Sequence, residues 1–343
     1  MKNPLLTKKI DSSNFLLIVT ISLFVAMYIV GLVLYQDEGF GNFQTFLNML
    51  IDNAGLIIAA SGMTIIMITG GIDISVGSVI GLVCMMLAYS MEEKGISSGI
   101  AIVIVLLFGI IFGAVQGWLI SYLKLQPFIV SLAGLFFCRG LTAMISANQI
   151  AITKNEAFLN FAAKDINLFI GSTINKHGVR MYPFIHPSVI IALVTMALIW
   201  YMLKFTRFGR NLFAIGGNES SALLMGINVK KTKFFAYVIE GFLAALAGFV
   251  FCLNTTSGFV EQARGFEMEA IASAVIGGTM LTGGIGTVIG TFFGVLIKAT
   301  IETFIRCDGT LSSWWNKIVL SAILCFFIML QSIFILIKNK KTK

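Results

Sequence analysis

A carboxylate interrupts one of the apolar segments of this chain, within the stretch TGGIDISVG (Thr69–Gly77). The two adjacent glycines of the stretch lower helix stability and allow the backbone to turn. Asp73 and Ser75 suit the N-cap of a helix that begins near Ile74 or Val76, and a carboxylate is favourable at that helix end. A second interpretation is that the break lines a transport pathway, because irregular backbone at membrane depth is tolerated only within protein or beside water. Both interpretations can hold together.

A second glycine-rich interruption, IGGTMLTGGIGTVIG (Ile276–Gly290), occurs late in the chain. Broken apolar segments at corresponding places in two opposed halves indicate inverted repeats around a midplane pathway. Glycines spaced by four residues additionally predict helix stripes that neighbouring helices approach closely. These stripes are Gly109, Gly113 and Gly117, and Gly286, Gly290 and Gly294.

The basic central segment Arg207–Lys231 carries the signals of a short helix over residues 219–225. Asn218 suits the N-cap, Glu219 is favourable in the first turn, and Gly226 suits the position after the helix end. The apolar side of this helix would consist of Ala222, Leu223 and Met225. Such a helix either lies on the lipid surface or enters a groove on a cytoplasmic partner.

Four further ionisable residues occur inside apolar runs: Arg139, Glu240, Lys298 and Glu302. Charged groups are costly there, so each is a candidate for substrate contact or for structural pairing. Lys298 and Glu302 are four residues apart, which favours an ion pair along one helix. Arg139 and Glu240 either pair across helices or lie near helix ends.

The composition indicates one integral membrane domain spanning residues 1–343. Apolar residues make up 57% and charged residues 12% of the chain, against about 25% charged residues in soluble proteins. The positive charge lies in short segments beside the apolar runs, which marks a cytoplasmic face and argues against nucleic-acid binding. No catalytic or phosphate-binding motif occurs, and the five cysteines form no CxxC pair. We therefore expect no enzyme activity and no metal site, and any ATP and Mg²⁺ must bind another polypeptide.

The apolar runs predict an all-α fold of about ten transmembrane helices in two inverted halves. The predicted spans are 15–34, 52–69, 75–91, 98–122, 127–147, 187–204, 234–253, 269–282, 285–304 and 314–337. The span 269–282 is short enough to enter the membrane without crossing it. This count places both termini and the basic central segment on the cytoplasmic side. The long loop 148–186 then lies outside, either as a docking surface or without a function of its own.

Three long motifs resemble the ribose-type sugar permeases of ATP-binding-cassette (ABC) importers, within the branched-chain and ribose permease superfamily. They are Ala60–Leu82, Phe213–Ile227 and Phe266–Ile297, and the resemblance runs from about residue 50 to residue 330. The stretches LAGLFFCRG (Leu132–Gly140) and DGTLSSWWNKI (Asp308–Ile318) are most similar to the galactofuranose permease subgroup. Glu240 departs from this pattern, which has a small or polar residue before Gly241.

The resemblance implies that residues 205–233 form a cytoplasmic loop that couples the permease to an ATPase. The candidate coupling residues are Arg207, Gly209, Arg210, Gly216, Asn218, Glu219, Ala222, Leu223 and Gly226. The candidate pathway residues at the two breaks are Gly70, Gly71, Asp73, Ser75, Gly77, Gly277, Gly278, Gly283, Gly284 and Gly286.

The resemblance also implies a function, a location and a set of partners. The function is import of a monosaccharide, galactofuranose-like or another simple sugar, through a bacterial plasma membrane. The partners are a cytoplasmic ABC ATPase, an extracytoplasmic sugar-binding protein, membrane lipid, and a second permease that is a related chain or an identical one. The alternative is a secondary transporter driven by an ion gradient, which would use a paired acid and base such as Glu240 and Arg139.

Overall fold

The computed structural model describes residues 12–36, 38–168, 173–174, 180–310, 312 and 314–342. Helices dominate this part of the chain. They are α1 (Ser12–Leu34), α2 (Phe43–Asp52), α3 (Ala54–Ile68), α4 (Val76–Glu92), α5 (Ser98–Ser121), α6 (Pro127–Ile145), α7 (Glu156–Ala162), α8 (Pro187–Phe205), α9 (Arg207–Gly217), α10 (Glu219–Leu224), α11 (Val229–Thr255), α12 (Phe266–Ile276), α13 (Val288–Asp308) and α14 (Trp314–Thr342). Three two-stranded antiparallel ladders complete it: β1 (Ile150–Ala151) with β6 (Ser257–Gly258), β2 (Ile166–Asn167) with β5 (Phe184–Ile185), and β3 (Thr173–Ile174) with β4 (Arg180–Met181).

A helix occupies most of each of the ten predicted spans, which confirms the all-α membrane fold. The count of ten crossings is not confirmed. Among the described residues, six helices are long and apolar enough to cross a membrane: α1, α5, α6, α8, α11 and α13. A seventh span results if α2 and α3, which meet at a bend of 56°, are counted as one. The helix predicted over 269–282 ends at Ile276, because the glycines that follow it form a turn.

Helix α3 is the central element of the bundle, and all fifteen of its residues are buried. It is apolar on every side, as expected for a helix surrounded by others. Its neighbour α11 packs against α5 along the predicted glycine stripe. A Cβ atom on Gly113 would lie 3.1 Å from the Cα atom of Gly241, so the two backbones are in direct contact. Much of α5 is exposed and apolar on its other face, which suits contact with lipid.

The described part of the 148–186 loop is bound to the ends of α4 and α11 by hydrogen bonds. The carboxylate of Glu92 accepts hydrogen bonds from the backbone N–H of Thr153 at 2.7 Å and of Lys154 at 3.0 Å. Strand β1 of the loop pairs with β6, which follows α11. The loop therefore covers one end of α4 and α11, and its role as a docking surface stays a prediction.

Candidate functional site

The two broken segments meet each other and the central segment at one point. The backbone N–H of Gly284 donates to the carbonyl oxygen of Ile68 at 2.9 Å. A Cβ atom on Gly283 would lie 2.8 Å from the amide nitrogen of Gly70 and 3.1 Å from the carbonyl oxygen of Gly216. We call this contact of Ile68, Gly70, Gly216, Gly283 and Gly284 the glycine junction. Residues from three distant parts of the sequence thus share one backbone-to-backbone contact.

The same backbone motif ends the helix before each break. After α3, Gly70 has a φ of +78°, Gly71 donates to the carbonyl of Ile66, and Gly70 donates to that of Met67. This is the Schellman arrangement, which favours glycine at the left-handed position. After α12, Gly278 has a φ of +89°, and the bonds run from Thr279 to Ala274 and from Gly278 to Val275. The compositional similarity of the two breaks therefore corresponds to one repeated helix end.

Asp73 is buried, with 3% of its surface exposed, directly after the first break. Its Oδ1 atom accepts hydrogen bonds from the backbone N–H of Ser75 at 2.8 Å and from the Ser75 hydroxyl at 2.6 Å. The Ser75 hydroxyl accepts in turn from the side-chain amide of Gln116 on α5 at 3.0 Å. Gln116 was not predicted, because no local pattern relates it to the break.

The predicted capping of α4 is only partly correct. The helix begins at Val76, as predicted, and Ser75 occupies the N-cap position. Its side chain makes no capping hydrogen bond. The Ser75 hydroxyl donates to Asp73, and its oxygen accepts from Gln116 rather than from a backbone N–H of α4. The carboxylate thus stabilises the turn before α4. Its part in a transport pathway stays a prediction.

The central segment contains the predicted short helix and one more helix before it. Helix α10 is capped by Asn218, whose side chain accepts from the backbone N–H of Ser221 at 2.8 Å. Gly226 has the expected positive φ of +80° after the helix. Helix α9, which was not predicted, connects α8 to this segment and ends in the glycine junction. Arg207 and Arg210 on α9 are exposed.

The apolar residues of α10 are partly buried in the bundle and partly exposed on its surface. Ala222 is fully buried against Ile215 and Val229. In contrast, Leu223 is 63% exposed and Met225 is 67% exposed. Leu224, which was not predicted as part of the apolar side, is 89% exposed. Single exposed apolar residues need no explanation, but three in succession on a basic segment favour a partner contact.

The ionisable residues inside the apolar runs have different partners from one another. Lys298 pairs with Glu302 at 2.6 Å, as predicted, and also with Glu269 at 3.1 Å. Of the two alternatives for Arg139 and Glu240, the pairing across helices is wrong. The Arg139 guanidinium donates instead to the carbonyl oxygens of Val260 and Gln262, in the turn after β6. Glu240 is fully buried against Gly62 of α3, and its carboxylate has no hydrogen-bond partner among the described residues.

Gly71→Leu is expected to lower the yield of folded protein. A Cβ atom at this position would lie 2.7 Å from the Tyr237 hydroxyl and 3.0 Å from a methyl group of Ile66, and a leucine adds three more carbons. The measurement is the monodisperse fraction in size-exclusion chromatography from detergent. Gly140→Leu is the matched control, because a Cβ atom there meets nothing within 4 Å. Equal yields of the two variants would show that Gly71 is not closely packed.

A multi-pass helical bundle whose two broken helices meet a basic amphipathic segment is the architecture expected of a membrane permease. The model of one protein family, described as branched-chain amino acid transport system / permease component, matches residues 45–328. The chain belongs to this family.

Several curated proteins are similar to the chain over almost its whole length. The inner membrane ABC transporter permease protein YjfF of Escherichia coli is 42% identical over 93% of this chain and 92% of its own length. The fructose import permease protein FruG of Bifidobacterium longum is 33% identical, with 96% and 94% covered. The ribose import permease protein RbsC of Escherichia coli is 32% identical, with 91% and 92% covered. No solved structure matches the chain.

Proposed function

We propose that this chain is the membrane-spanning permease subunit of an ABC importer for a monosaccharide. The observation that carries the proposal is the contact of α9 with both broken segments at the glycine junction, next to the exposed apolar residues of α10. Two relatives are named as import permeases for fructose and for ribose, which supports a sugar as the substrate of this chain. Within this class we propose a galactofuranose-like sugar, on the two subgroup stretches of the sequence.

The proposed mechanism is alternating access driven by ATP on a separate subunit. Leu223, Leu224 and Met225 would enter a groove of the ATPase, which binds ATP and Mg²⁺. Movement of α10 reaches α9 through Asn218, which is the single residue between the two helices. Because α9 ends against the carbonyl of Ile68 and the amide of Gly284, a shift of α9 moves both broken segments together. The side chains of this chain transmit motion and perform no bond chemistry.

The proposed partners follow from this arrangement. They are the ATPase, a sugar-binding protein on the opposite face, a second and related permease, and membrane lipid around the exposed apolar helices. The same proposal places the chain in the bacterial plasma membrane, with both termini in the cytoplasm.

The competing function is transport driven by an ion gradient. Glu240 favours it, because a buried carboxylate without a hydrogen-bond partner is a candidate proton carrier. However, its proposed basic partner Arg139 is bound to backbone carbonyls elsewhere, so the acid–base pair is not formed.

We expect uptake of labelled monosaccharide to stop when cells are depleted of ATP while the ion gradient is maintained. A protonophore given to cells with maintained ATP is expected to leave uptake intact. The opposite pattern would select the ion-driven transporter.

A pull-down of the tagged chain in mild detergent should yield an ATPase and a second permease, and an intact sample without an ATPase would contradict the proposal.

A further inference from the structure

A polar cavity of about 780 Å³ lies at the end of the bundle opposite to α9 and α10. Asp52, at the end of α2, and Asn53, just before α3, are part of its lining. Ile68, at the other end of α3, contacts Gly216 of α9. At 1.5 Å per residue, the fifteen residues of α3 separate the two ends by about 22 Å. If α10 docks on a cytoplasmic ATPase, this cavity therefore opens on the outer face.

A buried lysine forms the centre of the cavity wall. Lys298 as a residue is 8% exposed. Its ammonium group lies 2.6 Å from a carboxylate oxygen of Glu302 and 3.1 Å from one of Glu269. It also donates to the side-chain oxygen of Asn53 at 3.1 Å. A smaller cavity of about 290 Å³, between α12, α13 and α14, lies against the same lysine and the same two glutamates. We call Lys298, Glu269 and Glu302 the ion cluster. It lies between two adjoining cavities, and Asn316 of α14 lines both of them.

The lining offers hydrogen-bond acceptors that the protein itself leaves unused. Lys298 engages Oε2 of Glu269 and Oε1 of Glu302, which leaves the second oxygen of each carboxylate as an acceptor. The Oδ1 atom of Asn316 is buried and has no hydrogen-bond partner among the described residues. Buried polar atoms are normally paired, so an unpaired one in a cavity wall indicates that a ligand or water completes it.

The remaining lining suits a neutral ligand with both hydroxyl groups and an apolar face. Phe251 and Phe266 contribute aromatic surface, with ring centroids 5.5 Å apart. Asp52 and Arg306 at the rim neutralise each other in an ion pair of 3.1 Å. Ligand sites typically have such volumes and a few convergent polar groups. The lining carries three carboxylates against two basic groups, which disfavours an anionic ligand.

We propose that this cavity holds the monosaccharide on the outer side of the permease before it passes between the helices. Glu269, Glu302 and Asn316 accept hydrogen bonds from its hydroxyl groups, and the two phenylalanines pack against its C–H face. Lys298 is a positioning residue that holds both carboxylates at the wall. The inference rests on the proposed sugar-import function and adds a sugar site on the permease itself.

The test uses the purified permease–ATPase complex in lipid nanodiscs, without a sugar-binding protein. Binding of ¹⁴C-labelled D-ribose, D-fructose and D-galactose is measured by equilibrium dialysis, and the galactose solution contains the furanose form in equilibrium. We expect the complex to bind one of them weakly, since a site that passes its ligand on does not hold it tightly. Asn316→Ala and Glu269→Gln should each weaken this binding at least about tenfold, the value of one hydrogen bond to a polar or charged group.

Asn316→Ala also separates ligand binding from a structural role. Because its Oδ1 atom has no partner among the described residues, the variant should unfold at the same temperature as the unmodified complex while it binds sugar less well. Asn148→Ala, in the outer loop and exposed, is the matched control and should change neither quantity. Wild-type binding by both Asn316→Ala and Glu269→Gln would overturn the site.

Uptake by cells that contain the whole system distinguishes failure of the site from failure of the function. ATP-dependent uptake of one of the three sugars, with no binding to the isolated complex, overturns the site and leaves the import function intact. Neither uptake nor binding of any of them overturns both. Uptake and binding of the same sugar, both reduced by Asn316→Ala, is the expected result.

Discussion

Leu223→Asp is expected to reduce sugar uptake to the background level while the protein still inserts and folds. Leu223 is 63% exposed on α10 and makes no contribution to the cluster of Ala222, Ile215 and Val229 that holds the helix. The substitution therefore leaves the permease intact. In the proposed complex it buries an unpaired carboxylate in the ATPase groove, which costs at least about 3 kcal/mol, or roughly 100-fold in affinity.

The measurement is the amount of ATPase that copurifies with the tagged variant, together with uptake of labelled sugar. Leu223→Met is the matched control, because it keeps an apolar side chain of similar volume and should retain both quantities. Normal uptake by Leu223→Asp would show that α10 lies on the lipid or solvent surface and does not couple to the ATPase.

Gly216→Ala is expected to destabilise the permease and abolish transport. A Cβ atom at this position would overlap the carbonyl oxygen of Ile68 and lie 2.5 Å from the amide nitrogen of Gly284. Both contacts are to backbone, which cannot move aside by rotating a side chain. Overpacking of this kind costs about 3 kcal/mol, and here it also separates α9 from the two broken segments.

The adjacent residue supplies the control for this prediction. A Cβ atom on Gly217 meets nothing within 4 Å, so Gly217→Ala should fold and transport like the unmodified chain. The comparison is made by thermal unfolding in detergent and by uptake in cells. If Gly216→Ala matched Gly217→Ala in both assays, the glycine junction would not be a close contact in the membrane.

The elements of the fold follow from local sequence signals. The apolar runs predicted helices at the right places because a helix that satisfies its own backbone is the stable form of such a run in lipid. Asn218 and Gly226 predicted the ends of α10 because capping depends only on residues a few positions apart. The number of crossings did not follow from the apolar runs alone, because α4 has 17 and α12 has 11 residues, fewer than the roughly 20 that a span needs, and their depth depends on neighbouring helices.

Pairings between distant side chains were only partly predictable. The pair of Lys298 and Glu302 lies four residues apart on one helix, so the spacing alone indicated it. Glu269 and Asn53 join the same lysine from two other helices, and nothing in their spacing shows this. The alternative that paired Arg139 with Glu240 was wrong, because the backbone carbonyls that bind Arg139 are 121 and 123 residues away and no local pattern indicates them.

The sequence by itself determined that this is a helical membrane protein, where its helices break, and which basic segment carries the short amphipathic helix. These properties depend on composition and on neighbours within one or two helical turns. Only the tertiary structure showed that both breaks and α9 meet at Gly216, and that Lys298 stands between two cavities at the opposite end. Such contacts arise when helices far apart in sequence pack together, and the packing geometry, rather than any local pattern, decides which backbones touch.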